Sequence, residues 1–368
     1  MKNIIILGGY GLAGLETAKL LIKHTDCNII LAGRNINKAI KAAQELNQAL
    51  NSNKVQGLML NADNINEMAK KIKDYDLIIV SIPLATVGDN VVRAAIKAEI
   101  NYIDLNLNDQ KQKTLKESAG IIKKKGLTFI SEAGFVPGTP AFMLRLLNEK
   151  FDKMNEITFS GYFNEKEVSI GTCEDMIKEV STKPMVLKDG KWIESSVMKS
   201  VDFDFGGKIG LKKCYPLRMI EIEDLAVRMN LKKCSVYAAG IGGMAGLILV
   251  VWSMLKLYKK GSSAKKGTKL LYKTINKSRK PPYITIVNAK GTGLVEGRKK
   301  DITLSLSHSN GWMGTAIPVT ACIFQILNGA INKPGLYRMG ELVNIDQFKN
   351  DLINLGMGLV INSNQLLR

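Results

Sequence analysis

The chain has 368 residues, 46% of them hydrophobic, and a formal net charge of +19. That length supports a large core in two domains, and five scattered cysteines with no Cys-x-x-Cys pair argue against a disulfide scaffold or zinc ribbon and for reduced thiols in a cytosolic setting. The charge is local: Lys256 to Lys300 holds fourteen Lys and Arg residues against a single acid, Glu296, so the remaining 323 residues carry only +6.

Residues 3 to 7, Asn-Ile-Ile-Ile-Leu, form a continuous apolar run of the kind found in a parallel strand buried on both faces. The run is too short for a signal peptide and leads straight into Gly9-Tyr10-Gly11-Leu12-Ala13-Gly14. A helical pattern follows, with Leu15, Ala18, Leu21 and Ile22 on one face. Such a turn needs one glycine for the tight bend, a second for close backbone approach to a pyrophosphate and a third for close packing of helix on strand. Phosphates then rest on the free N–H groups of the helix. Further strands are predicted at 28–32, 55–60, 76–82, 100–105 and 127–131, with helices between them. This alternation predicts a doubly wound parallel sheet of Rossmann type, α/β in class.

The end of the second strand discriminates between dinucleotides. An acid there accepts a hydrogen bond from the ribose 2′-OH of NAD, whereas this chain has Ala32-Gly33-Arg34-Asn35, and Arg34 suits a 2′-phosphate. NADP(H) is therefore expected over NAD(H). Asp63, Ser81 and Pro83 stand at carboxyl ends of strands, where ligands bind in such sheets, and join the candidate cofactor contacts by position.

The glycine turn, Ala32-Gly33-Arg34, Tyr102-Ile103-Asp104-Leu105 and Gly134-Phe135-Val136-Pro137-Gly138 follow in the order seen in the saccharopine dehydrogenase-like oxidoreductases, which the chain resembles. Ser169-Ile170-Gly171-Thr172, the turn Lys188-Asp189-Gly190-Lys191 and Gly314-Thr315-Ala316-Ile317-Pro318 extend the resemblance. It implies an NAD(P) domain at 1–132, an inserted α+β substrate domain at 133–310, and helices at 311–368 that return to the first domain. It also implies hydride transfer at C–N bonds of amino acids or, in lipid-oriented members, at carbon–carbon double bonds. Many relatives have Asp where Val136 stands, and no arginine set for an amino-acid substrate matches residue by residue. Phe135, Pro137, Gly138 and Thr172 are the expected substrate contacts, with Thr172 at a helix start suited to an anionic group or to plain capping.

In the middle of the chain, strands are predicted at 156–163, 283–288 and 301–308, and a helix from Glu174 to Val180. Of two histidines, His24 ends the first helix, while His308 ends a predicted strand of the second domain and is the first candidate proton donor. Tyr102 and Asp104, at the carboxyl end of the fifth strand, are the alternatives. Asn332-Lys333-Pro334-Gly335 reads as a turn between two helices.

Val236 to Leu255 has twenty residues without a charge and several glycines, and Lys256, Lys259, Lys260, Lys265, Lys266 and Lys269 follow it. As a helix the run is long enough to cross a bilayer. A single crossing would separate the C-terminal residues from the domain they are expected to rejoin. The remaining readings are an interfacial segment on an anionic membrane surface, favoured for segment 236–270, and a buried helix with a solvated lysine loop. The basic block carries no nucleic-acid-binding motif, so nucleic acid is the less expected partner. The sequence therefore suggests a cytoplasmic NADP(H) oxidoreductase, peripheral or monotopic on a membrane and possible as a homodimer, with a non-catalytic membrane-associated NADP-binding scaffold or sensor as the alternative.

Overall fold

A computed structural model describes the chain apart from residues 83–86, 106–108, 180–181, 240, 242, 255–260 and 366–368. Two compact units emerge, one made of Met1–Phe142 and Trp312–Gly356, the other of Met143–Gly311 and Met357–Arg368. Pro83, Lys256, Lys259 and Lys260 lie outside the described residues.

The first unit contains β1 (Asn3–Leu7), α1 (Leu12–His24), β2 (Asn28–Gly33), α2 (Ile36–Leu50), β3 (Val55–Met59), α3 (Ile65–Ile72), β4 (Leu77–Val80), α4 (Gly88–Ala98), β5 (Asn101–Asp104), α5 (Asp109–Lys124) and β6 (Thr128–Ser131). α6 (Thr139–Asn148) leads out of it into the second unit. All six strands pair in parallel, and the order β6-β5-β4-β1-β2-β3 is that of the doubly wound fold. The Ile-Ile-Ile-Leu of β1 and the Leu-Ile-Ile-Val of β4 are buried throughout, as strands with helices on both faces must be. Asn35 and Asn64 start α2 and α3 by accepting hydrogen bonds from the first-turn N–H groups of Lys38 and of Asn66 and Glu67.

The second unit contains β7 (Lys153–Asn164), α7 (Ile170–Glu179), β8 (Met185–Lys188), β9 (Lys191–Glu194), β10 (Val201–Asp204), β11 (Leu211–Pro216), α8 (Ile220–Arg228), β12 (Lys233–Ala239), α9 (Gly243–Met254), α10 (Gly261–Ser278), β13 (Ile284–Val295) and β14 (Arg298–His308). Then come α11 (Gly311–Leu327), β15 (Gly335–Arg338), α12 (Met339–Leu342), α13 (Ile345–Asn354) and β16 (Gly358–Gln365). The second sheet is mixed, in the order β10-β11-β12-β7-β13-β14-β16, with the β8–β9 hairpin attached to β12.

Two sequence expectations change here. The turn at 332–335 leads into a strand, since β15 pairs in parallel with β6 and widens the first sheet to seven strands. The uncharged run from Val236 to Leu255 is not one helix. Its first residues complete β12, which pairs with β7, and only Gly243–Met254 is helical, with Ala245, Ile248 and Leu249 buried against Val168, Cys173, Ile177, Leu271 and Ile275. The β-branched and aromatic start of the run, Val236-Tyr237, suits the strand, and the helix begins at Gly243. No helix among the described residues is long and apolar enough to cross a membrane. The basic block is divided likewise among α10, β13 and β14.

Candidate functional site

At the carboxyl end of β1 the chain turns through Gly8, at φ +87°, a backbone conformation that only glycine adopts freely. A Cβ on Gly9 would press on the backbone of Leu31, and one on Gly14 would overlap the Gly8 carbonyl. These approaches bring α1 onto the strand ends with its N-terminus bare. Gly11 offers no capping side chain, and no acid stands in the first turn. Ser81 lies against the same turn, its carbonyl facing Gly8 and its N–H donating to the Leu7 carbonyl at 2.8 Å. Tyr10 reaches across to β2: a Cβ on Gly33 would collide with its ring, and its hydroxyl accepts the Asn35 N–H at 3.2 Å. Beside it Arg34 is exposed and has no ion pair among the described residues. Leu12 is exposed at the helix start.

The residues present therefore fit a dinucleotide. Bare N–H groups at a helix start suit a diphosphate, and a free guanidinium at the end of β2 suits a further phosphate. Gly9, Tyr10, Gly11, Leu12, Gly14, Arg34, Asn35 and Ser81 are brought together at neighbouring strand ends. Asn35 spends its side chain on capping α2. Asp63 lies past β3, exposed, with its carbonyl accepting from Asn90. Gly8, absent from the sequence-derived set, carries the turn's positive φ.

A second group of side chains sits at the carboxyl ends of β5 and β6, with its charges paired inside the protein. Asp104 and Lys111 are both fully buried, with Nζ 2.6 Å from Oδ1, and the same ammonium donates to Ser131 Oγ at 3.1 Å. Gln112 donates to Ser131 Oγ at 2.9 Å and to Glu132 Oε1 at 2.7 Å. Arg338, at the end of β15, approaches Glu132 Oε2 at 3.1 Å and Glu341 at 3.6 Å. Glu132 has φ +59°, left-handed for a residue with a side chain, and its carboxyl is pushed above the usual range by burial, against the opposing pull of Arg338 and Lys111. Tyr102 is fully buried beside Asp104, and burial, then the Asp104 charge, push its phenol well up.

The loop from Gly134 to Gly138 leaves this cluster. Ala133 N–H donates to the Asp104 carbonyl at 2.7 Å, Gly134 N–H to the Pro137 carbonyl at 3.0 Å, and Thr139 closes the turn by donating to the Phe135 carbonyl. Phe135 is buried, Pro137 follows a cis peptide bond, and Gly138 has φ +127°. Lys111, Gln112, Ser131, Glu132 and Arg338 escaped the sequence reading because lysines and glutamines in a charged helix look like solvent-facing residues. The only signal was Ser-Glu directly after a buried strand.

His308 belongs to the second unit. Its ring is half-buried, and Nδ1 lies 2.8 Å from the Asn310 carbonyl oxygen and 2.9 Å from the Asn310 nitrogen, so Asn310 holds that edge of the ring in either tautomer. Thr172 lies in the first turn of α7, where its hydroxyl shares a hydrogen bond with Ser169 Oγ at 2.9 Å and its N–H donates to the same oxygen at 3.0 Å. This is a helix cap, which engages the hydroxyl expected to meet an anion.

Residues 4–130 match the family profile of the saccharopine dehydrogenase NADP binding domain. The first unit carries a domain of this family. Its cofactor is accordingly NADP(H). Over the whole chain the fold is that of saccharopine dehydrogenase: the apo L-glutamate-forming enzyme from Saccharomyces cerevisiae aligns over 99% of this chain and 100% of its own with a TM-score of 0.75, at 16% identity. An engineered D-amino acid dehydrogenase bound to NADP+ aligns over 96% of this chain and 98% of its own, with a TM-score of 0.50 and 12% identity. No curated protein matches by sequence.

Proposed function

We propose that the protein is an NADP(H)-dependent oxidoreductase that moves a hydride to or from a small or lipid-like substrate at a C=N or C=C bond. One observation carries this: the bare N-terminus of α1, reached through a glycine turn, stands beside the free guanidinium of Arg34. When bound, the cofactor supplies the hydride, and the protein's task is to position the reactants and handle a proton. For the proton, the His308 ring is the favoured group, since Tyr102 and Asp104 are sealed inside the first unit. The Asp104 carbonyl accepts the Ala133 N–H and so holds the start of the loop of Phe135, Pro137 and Gly138, which we propose as a wall for the substrate.

Arg34→Ala should weaken NADPH binding roughly ten- to a hundredfold, the worth of one charge-assisted contact, and leave NADH binding within about twofold. Equal losses for both nucleotides would refute the 2′-phosphate assignment. NADPH oxidation against imines, enones and 2-oxo acids tests turnover. Tight NADPH binding with no turnover on the panel, and no effect of His308→Ala on any rate, would favour a binding protein over an enzyme.

A second reading concerns place. Lys265, Lys269, Lys273 and Lys277 recur every four residues along α10, all exposed, with Lys266 and Lys280 beside them. None of the six has an ion pair among the described residues. This ridge supports association with an anionic membrane surface, each lysine contributing about 1 kcal/mol near the headgroups. Replacing Lys269, Lys273 and Lys277 with Glu should abolish sedimentation with phosphatidylserine vesicles at low salt. Undiminished sedimentation would sink the reading.

A further inference from the structure

The second unit holds a charge that its own side chains do not neutralise. Arg279 follows α10 and is half-buried, with Nη1 donating to the Phe163 carbonyl at 2.7 Å and to Asn164 Oδ1 at 3.0 Å. No carboxylate lies within 4 Å of it among the described residues, and its other guanidinium nitrogens make no hydrogen bond there. Glu165, the next residue after Asn164, faces it from further off. The Glu165 carboxyl packs so closely on Gly311 that a Cβ there would overlap it.

The surroundings are rigid. Asn164 Nδ2 donates to the carbonyls of Lys280 and Pro282, both at 2.8 Å. Val168 exchanges hydrogen bonds with the side chain of Asn276 on α10, at 2.9 and 3.2 Å. The loop between β7 and α7 is thus tied to α10 and its C-terminal extension at both of its ends. A partly desolvated guanidinium held in a fixed frame, with donors that its neighbours leave free and a carboxyl close enough to act on it through charge, is preorganised for an anion.

We propose that Arg279 and Glu165 form a subsite for the carboxylate of a small ligand. The open edge of the guanidinium takes the ligand's two oxygens, and the Glu165 carboxyl in its protonated form donates a further hydrogen bond to one of them. Such protonation is accessible: burial raises Glu165 to about 6, with Arg279 pulling the other way. The titratable groups around Arg279 are Glu165, Tyr162 on β7 and Cys173 on α7, and His308 ends the strand beyond β13. The inference rests on the oxidoreductase reading only in calling the ligand a substrate, since binding itself needs no nicotinamide.

The test uses the full chain without cofactor, titrated calorimetrically with pyruvate, and with methyl pyruvate as the uncharged control. Pyruvate should bind at least tenfold tighter than the ester, and about fiftyfold more weakly at pH 8 than at pH 6, because one proton must be held at Glu165. Glu165→Gln should keep the binding and lose the pH dependence, and Arg279→Met should lose the binding. Equal binding of acid and ester, or a pH dependence that survives in Glu165→Gln, would overturn the proposal even if Arg279→Met failed to fold. NADPH binding, measured separately, can fail without touching this result, and the subsite can fail without touching NADPH binding.

Discussion

Each unit encloses a group of ionisable side chains, and the two groups differ in closure. In the first, Lys111 meets Asp104 and Ser131, Gln112 bridges Ser131 and Glu132, and Arg338 meets Glu132 and Glu341, so each charge faces an opposite one within the protein. In the second, Arg279 and Glu165 act on each other from beyond ion-pair distance, and the guanidinium keeps donors to spare. A closed network holds strand ends and loops in place. An open one leaves recognition capacity unused, which makes it the better place to look for a ligand even though both groups contain the same residue types.

The largest expected effect breaks the closed network. Lys111→Met leaves Asp104 buried without its cation and should cost about 3–5 kcal/mol in urea unfolding. Asp104→Leu in the same chain should return a large part of that, because the pair is removed together. A loss under about 1 kcal/mol for Lys111→Met would mean that the pair is not sealed from water, and the contrast between the units would fall. The network also marks the limit of what the sequence discloses. The six parallel strands and the glycine turn are local patterns, each contained in a few consecutive residues, and they were legible. The Asp104–Lys111–Glu132–Arg338 group joins residues from three strands and a helix, and Arg338 arrives only because β15 adds to the sheet after the chain returns from the second unit. The apolar run at 236–255 misled for the opposite reason: its composition suits both strand and helix, and pairing of β12 with β7 decided it.

A smaller effect is expected at the open site. Arg279→Met removes two hydrogen bonds but also a partly desolvated charge with no ion pair among the described residues, so the opposing contributions nearly cancel and the net loss should be about 1 kcal/mol. The same type of change at Lys111 and at Arg279 should therefore differ severalfold in urea unfolding. Equal losses at the two positions would say that Arg279 is as fully compensated as Lys111, and the subsite would have no physical basis.

The smallest effect is a matter of sign. The Glu165 carboxyl is raised in the folded protein from 4.5 to about 6, chiefly by burial. Between those values the folded chain holds a proton there that the unfolded chain releases. Its contribution to stability is then complete below about pH 4.5, declines as pH rises through 6, and is constant above about pH 7. Glu165→Gln cannot ionise and should escape that decline. The variant should gain on the wild type as pH rises from 5 to 8, by less than burial alone would suggest, because the carboxyl is partly open to solvent. Paired urea titrations at pH 5 and pH 8 read this difference directly. A wild-type advantage that grows toward pH 8 would show that Arg279 already neutralises the carboxylate, which would turn the open site into a second closed one.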